Sequence, residues 1–154
     1  MAGLGLMMLP ANLFVAYLSQ QYDDRELIRG LTVMMLLGCL ATMQYSKNYT
    51  LLQYIFASVT IFVSTNALEG PNMSLLSKTI PHSWSKGFFN VGLLATEAGT
   101  LGRAVADVLL TIFGSGGIEY LVNVTFGTMA SLSFLSLLLI LRFYRMLEPK
   151  DKDD

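Results

Sequence analysis

The sequence predicts an all-α, polytopic membrane protein, a helix bundle with about five transmembrane helices. Of its 154 residues, 53% are hydrophobic and only 14% are charged, which is unlike an ordinary soluble domain. The charges occur in clusters between long apolar runs, and several runs reach the roughly 20 residues that a helix needs to cross a bilayer. We therefore expect a transmembrane bundle over residues 1–146 and a polar cytosolic tail over residues 147–154.

Five hydrophobic segments follow one another along the chain. The first is interrupted by Pro10, which a membrane helix tolerates as a kink. The third is expected to break at Glu69-Gly70-Pro71-Asn72, because proline removes a backbone donor, and then to continue as a helix through Ser77. The predicted spans cover residues 2–19, 27–45, 51–77 with the break at 69–72, 87–113 and 118–141.

Composition excludes several classes of function. The formal net charge of −1 leaves no basic surface for nucleic acid. Cys39 is the single cysteine, so a disulfide framework is excluded and a buried, inert thiol is expected. His82 is the single histidine and lies in a polar linker, so we expect no metal site and no cofactor.

The distribution of lysine and arginine predicts the orientation of the spans. Eight lysines and arginines fall on one side of the predicted membrane, whereas Lys47 alone falls on the other side and Arg103 lies within the fourth span. An excess of positive charge marks the cytosolic side, so we expect a cytosolic C-terminus and an N-terminus on the opposite side. The cations on the predicted cytosolic side are Arg25, Arg29, Lys78, Lys86, Arg142, Arg145, Lys150 and Lys152.

The fourth span is unusual because its middle contains Glu97, Arg103 and Asp107. A charge at the centre of a bilayer costs about 2.5–3.5 kcal/mol on insertion scales, so each charge needs a partner, a watery cavity or a function. When side chains are placed at about 100° per residue, Thr96, Thr100, Arg103 and Asp107 fall within roughly 60° of one another, while Glu97 lies on another flank. These four residues therefore form one polar stripe along the helix.

Small residues occupy one flank of this stripe, where they let another helix approach closely. Leucine-rich positions on the opposite side suit lipid, so the helix has a lipid face, a packing face and a polar face. That combination is typical of a bundle around a hydrated cavity. The small residues are Ala95, Gly99, Gly102 and Ala106.

The third span has a weaker polar face, on which Ser58, Thr65, Asn66 and Glu69 lie within about 100° of arc. The second and fifth spans contain no charge in the middle of the membrane, and we expect them to pack outside the third and fourth. This division into cavity-lining and supporting helices predicts a transporter-like bundle rather than a simple anchor.

Two interpretations of Arg103 and Asp107 remain open at this point. As residues four apart on one helix, they can form an internal ion pair that only allows both to insert. Alternatively, Arg103 binds an anion in the cavity, since a guanidinium suits phosphate or carboxylate, and Asp107 holds it in place. Glu69 and Glu97 either relay protons or make structural hydrogen bonds. The candidate substrate-binding residues are Arg103, Asp107, Thr96, Thr100, Glu69, Asn66 and Glu97.

We expect no enzymatic activity. An intramembrane serine hydrolase needs a nucleophile with a base within reach. His82 lies near Ser83 and Ser85 in a linker and has no intramembrane partner.

Three stretches together resemble the plant SPX–major facilitator family of vacuolar phosphate transporters. They are LPANLFVAYLSQQYDDRELIRG at 9–30, STNALEGPNMSLLSK at 64–78 and GLLATEAGTLGRAVAD at 92–107. The resemblance implies a twelve-span fold whose last five spans correspond to these five segments. It also implies transport of inorganic phosphate across the vacuolar membrane, with a cytosolic SPX domain that senses inositol polyphosphates.

Three roles remain open for the chain itself. The first is a truncated phosphate carrier, which is either active or inactive alone. Substrate sites in major facilitator folds lie between two halves, and one half builds only one wall of such a site. The alternative is a non-transporting membrane subunit that binds and modulates a full-length transporter. A third possibility is a truncated gene product that has no function. The expected partners are the lipid bilayer, inorganic phosphate or another small anion such as sulfate or an organic acid, and a full-length relative or the missing N-terminal half.

Overall fold

Every regular element in the described part of the chain is helical, which confirms the predicted all-α fold. The computed structural model describes residue 10 and residues 13–44, 50–80 and 91–147. Lys47, the linker with His82 and Trp84, residues 87–90 of the predicted fourth span and the tail beyond 147 lie outside the described residues. The helices are α1 (13–18), α2 (Asp24–Thr42), α3 (Leu51–Thr79), α4 (Val91–Phe113) and α5 (Ile118–Phe143).

Two helices are long and apolar enough to cross a membrane by length and composition, Leu51–Thr79 and the Tyr120–Phe143 part of α5. α2 is less apolar because its first two turns contain Asp24, Arg25, Glu26 and Arg29. α4 is a continuous helix, but three charged residues near its middle interrupt its apolar sequence. The count of five spans therefore stays a prediction.

α2 is the central helix of the described bundle, since it packs extensively along both α3 and α5. α4 contacts α3 and α5 only sparsely. The expectation that the second span packs outside the third and fourth is therefore wrong for this chain. The polarity of a helix shows whether it suits lipid, but the fit of its surface to its neighbours decides which helix lies in the centre.

Close approach of α2 and α3 depends on Gly38. A Cβ added to Gly38 would lie 2.8 Å from Cγ1 of Ile61 and 3.3 Å from its backbone nitrogen. A side chain at this position would therefore push the helices apart. Small residues at helix crossings are typical of membrane bundles, where backbones pack closely without large apolar side chains between them.

The interior of the bundle contains small and weakly polar residues, while many large apolar side chains point outward. Cys39, Thr42 and Ser64 are the largest fully buried side chains, and the predicted burial of Cys39 is thus confirmed. The Thr42 hydroxyl donates to the Gly38 carbonyl at 2.8 Å, which satisfies it inside the bundle. Exposed leucines and phenylalanines line α4 and α5. This distribution suits a membrane protein, whose outer surface meets lipid.

α3 is one continuous helix, so the predicted break at 69–72 is wrong. Pro71 lies inside the helix, and it is buried together with Ala67 and Leu75, four residues before and after it. Proline removes a single hydrogen bond of the ladder, and membrane helices tolerate that loss when the helix packs against neighbours. Burial of this face against the bundle keeps α3 helical through Thr79.

Polar contacts join the helices at both ends of the bundle. At one end, Asp24 at the start of α2 bonds to Ser74 and Lys78 near the end of α3. At the other end, the side chain of Asn123 on α5 accepts a hydrogen bond from the Gln44 backbone N–H at 2.7 Å. α2 therefore runs antiparallel to both α3 and α5, and the cations near Asp24, Lys78 and the end of α5 gather at one end.

Candidate functional site

A cleft of about 880 Å³ lies between the second half of α3 and the first half of α4. It contains five of the seven candidate residues, and a single cationic side chain, Arg103, lines it in the described part of the chain. The cleft exists because α4 diverges from α3 rather than packing along it. The candidate residues that line it are Asn66, Glu69, Thr96, Thr100 and Arg103.

The α3 wall presents residues at helical spacing of three and four. Thr65, Asn66, Glu69, Asn72 and Met73 share this wall, so the predicted polar face extends through the proline. The Asn66 amide donates one hydrogen bond to the Phe62 carbonyl at 2.7 Å. Its second N–H and its oxygen face no hydrogen-bond partner in the described residues, so they can serve a ligand.

Asn72 is a cleft residue that sequence reasoning missed as a site candidate. It is exposed, and it follows Glu69 by three residues on the same wall. Its position on the polar face was detectable from the helical spacing. Because we expected the helix to break at 69–72, the predicted polar face ended at Glu69 and did not include Asn72.

The α4 wall combines hydroxyl groups with Arg103. The Thr96 hydroxyl donates to the Gly92 carbonyl at 2.8 Å, and the Thr100 hydroxyl donates to the Thr96 carbonyl at 2.9 Å. Both oxygens therefore present acceptor lone pairs to the cleft while these bonds persist. The donors available to an anion are the Arg103 guanidinium and the amides of Asn66 and Asn72.

Asp107 and Glu97 do not line this cleft. Asp107 lies one turn beyond Arg103 on α4, and no ion pair joins the two within the described residues, although both are exposed. The structure thus does not show the arrangement in which Asp107 holds the guanidinium. Glu97 is exposed on another flank, as its position on the helix predicts.

A second cleft of about 610 Å³ lies on the other side of α3, against α1 and the start of α2. Asn66 and Glu69 line both clefts. Lys78 and Asp24 also line the second cleft, where they are paired with each other. Glu69 therefore borders both clefts.

The chain is similar to plant proteins named SPX domain-containing membrane proteins. A relative from Oryza sativa subsp. japonica is 42% identical over 126 residues, which cover 81% of this chain. Two relatives from Arabidopsis thaliana are 42% identical over 123 residues and 41% identical over 126 residues, covering 79% and 81% of this chain. The chain spans about 18% of the length of these relatives.

No protein-family model matches the chain, and no solved structure matches it. The relatives are named membrane proteins, which agrees with the apolar exterior and the two span-length helices described above.

Proposed function

We propose that this chain, as a relative of plant SPX domain-containing membrane proteins, forms part of a carrier of the major facilitator type that moves inorganic phosphate across the vacuolar membrane. The observation that carries the proposal is the α3–α4 cleft with Arg103 and two asparagines on its walls. A guanidinium presents fixed donors that match phosphate oxygens, and asparagine amides add neutral donors. The cleft then forms one wall of the substrate pathway.

Glu69 sets the charge balance of the cleft. Its carboxylate and the Arg103 guanidinium carry opposite charges, and the carboxylate repels an approaching phosphate. We therefore expect phosphate to bind more tightly when the charge of Glu69 is removed.

Phosphate binding by the purified chain in liposomes tests the role of Arg103. We expect Arg103→Ala to weaken binding of radiolabelled phosphate about tenfold or more, since a hydrogen bond to a charged group contributes about 1.5–3 kcal/mol. Arg103→Lys is the matched control, because it keeps a cation at the same position of the cleft, and it should weaken phosphate binding less than Arg103→Ala does. Unchanged binding in Arg103→Ala would refute the assignment, provided that the variant inserts normally.

Transport is measured for the chain alone and after co-reconstitution with the Oryza sativa subsp. japonica relative described above (the rice relative). If the α3–α4 cleft acts in transport, Arg103→Ala reduces phosphate flux in whichever of these systems is active. Glu69→Gln should strengthen phosphate binding, because it removes the carboxylate that repels the anion. Binding that is unchanged or weaker in Glu69→Gln contradicts this role of Glu69.

A second candidate function is a non-transporting membrane subunit that binds a longer relative through α4. Gly99 and Gly102 favour it, because a Cβ added to either would meet no described atom within 4 Å. This small-residue face can therefore receive another helix. Co-purification with the rice relative should be lost in Gly99→Leu/Gly102→Leu and kept in Leu101→Phe, which adds bulk to the lipid face. Loss in both variants would argue against this surface.

A further inference from the structure

The end of α5 presents arginines that alternate with exposed apolar side chains. Arg142 and Arg145 are exposed, and Phe143 and Met146 beside them are 42% and 76% exposed. Arg29 of α2 is exposed at the same end of the bundle. We call this surface the basic rim, and it comprises Arg29, Arg142, Phe143, Arg145 and Met146.

The rim arginines are not neutralised by acidic partners in the described part of the chain. At the same end of the bundle, the charge of Lys78 is paired with Asp24 and that of Arg25 with Asp23. Arg29, Arg142 and Arg145 have no such ion pair within the described ranges. Within these ranges, the rim is therefore a concentration of positive charge.

Tyr144 fixes the rim in position. The guanidinium carbons of Arg25 and Arg29 lie 5.1 and 5.5 Å from the centroid of the Tyr144 ring, within cation–π distance. Tyr144 directs its ring toward α2, and the flanking Arg142 and Arg145 remain exposed to the surroundings. The contact joins the end of α5 to the start of α2 and brings Arg29 into the same surface.

We propose that the basic rim binds the headgroups of acidic phospholipids. Arginine forks match the oxygens of a lipid phosphate, and exposed phenylalanine and methionine suit the apolar region just below the headgroups. A free phosphate ion would use the arginines but gain nothing from Phe143 or Met146. The combination of both side-chain types therefore favours a lipid over a soluble anion. This proposal is independent of transport through the α3–α4 cleft.

The test reconstitutes the chain into nanodiscs of phosphatidylcholine that contain a minor fraction of phosphatidylserine. Lipids retained by the protein after detergent extraction are then counted by mass spectrometry. We expect phosphatidylserine to be enriched over its bulk fraction. Arg142→Gln/Arg145→Gln should reduce the enrichment at least about fivefold, because each cation near an acidic surface contributes substantially to headgroup attraction. Arg142→Lys/Arg145→Lys keeps both charges and should retain most of the enrichment.

Two further measurements separate the possible outcomes. Circular dichroism must show the same helix content in the glutamine variant, and Met146→Gln at full charge should reduce the enrichment by a smaller factor. Enrichment that is unchanged in the glutamine variant overturns the proposal. Release of the bound lipid by millimolar inorganic phosphate also overturns it, since the rim would then recognise a free anion.

Discussion

Oδ2 of Asp24 lies 2.5 Å from Nζ of Lys78 and 2.7 Å from Oγ of Ser74, although these partners are 54 and 50 residues away in the sequence. The Asp24 side chain is 11% exposed, whereas Lys78 is half-exposed. The carboxylate therefore ties the start of α2 to the end of α3 at the boundary of the bundle. Both hydrogen bonds are accepted by the carboxylate, and they offset the free-energy cost of its partial burial.

Asp24→Asn should destabilise the chain by about 1–2 kcal/mol, because it weakens both hydrogen bonds while keeping the shape of the side chain. Thermal unfolding in detergent, followed by circular dichroism, measures the change. Asp23→Asn is the matched control, since the Asp23 side chain is 65% exposed and, among the described residues, forms its ion pair with the nearby Arg25. Equal effects of both substitutions would contradict a special role for Asp24.

Gly38→Ala should destabilise the chain by about 1–3 kcal/mol, the usual cost of overpacking, because the added methyl group meets Ile61. Gly30→Ala lies in the same helix, and its added methyl group would meet no described atom within 4 Å. Alanine has the higher helix propensity, so this control should be neutral or slightly stabilising. The same unfolding experiment compares the two, and a neutral Gly38→Ala would contradict close packing at this crossing.

Asn123→Ala should destabilise the chain by about 1–2 kcal/mol, because it leaves the partly buried Gln44 N–H without its side-chain acceptor. Asn123-Val124-Thr125 also matches a glycosylation sequon, but the Asn123 amide is engaged in this hydrogen bond, so we expect no glycan there. Thr125→Ala destroys the sequon and keeps the amide, so it should leave the melting temperature nearly unchanged. A larger effect of Thr125→Ala than of Asn123→Ala would count against a stabilising hydrogen bond between Asn123 and Gln44.

Tyr144→Leu should destabilise the chain by about 1 kcal/mol, since it removes the ring that two arginines contact. Tyr144→Phe keeps the ring and should unfold at nearly the wild-type temperature. Limited proteolysis gives a local measurement, because loss of the contact should expose the end of α5 to trypsin earlier. If Tyr144→Phe and Tyr144→Leu destabilise the chain equally, the contact with the ring is not what stabilises this end of α5.

The all-helical fold and the polar stripe of α4 could be predicted from sequence, because both depend on residues within a few turns of one another. Thr96, Thr100 and Arg103 recur at helical spacing, so any helix through them brings them to one wall. The pairing of Arg103 with Asp107 satisfied the same spacing, yet the structure leaves both exposed. Spacing makes such a contact possible, and rotamers and surroundings decide whether it forms.

The break expected at Pro71 shows a different limit of local reasoning. Proline weakens a helix by about 3 kcal/mol in isolation. Burial of Pro71 with Ala67 and Leu75 on one face offsets that cost within the bundle. The outcome depends on a neighbouring helix that is distant in sequence, and hence a local pattern could not show it.

The chain alone determines where helices form, which positions are apolar and which face of α4 is polar, because periodicity and charge are local properties. Only the tertiary structure decides that α2 is central, that Asp24 meets Lys78, and that the cleft extends to Asn72. These outcomes depend on contacts such as that of Gly38 with Ile61, where steric fit over distances of a few ångströms selects among the many bundles that the same helices could form.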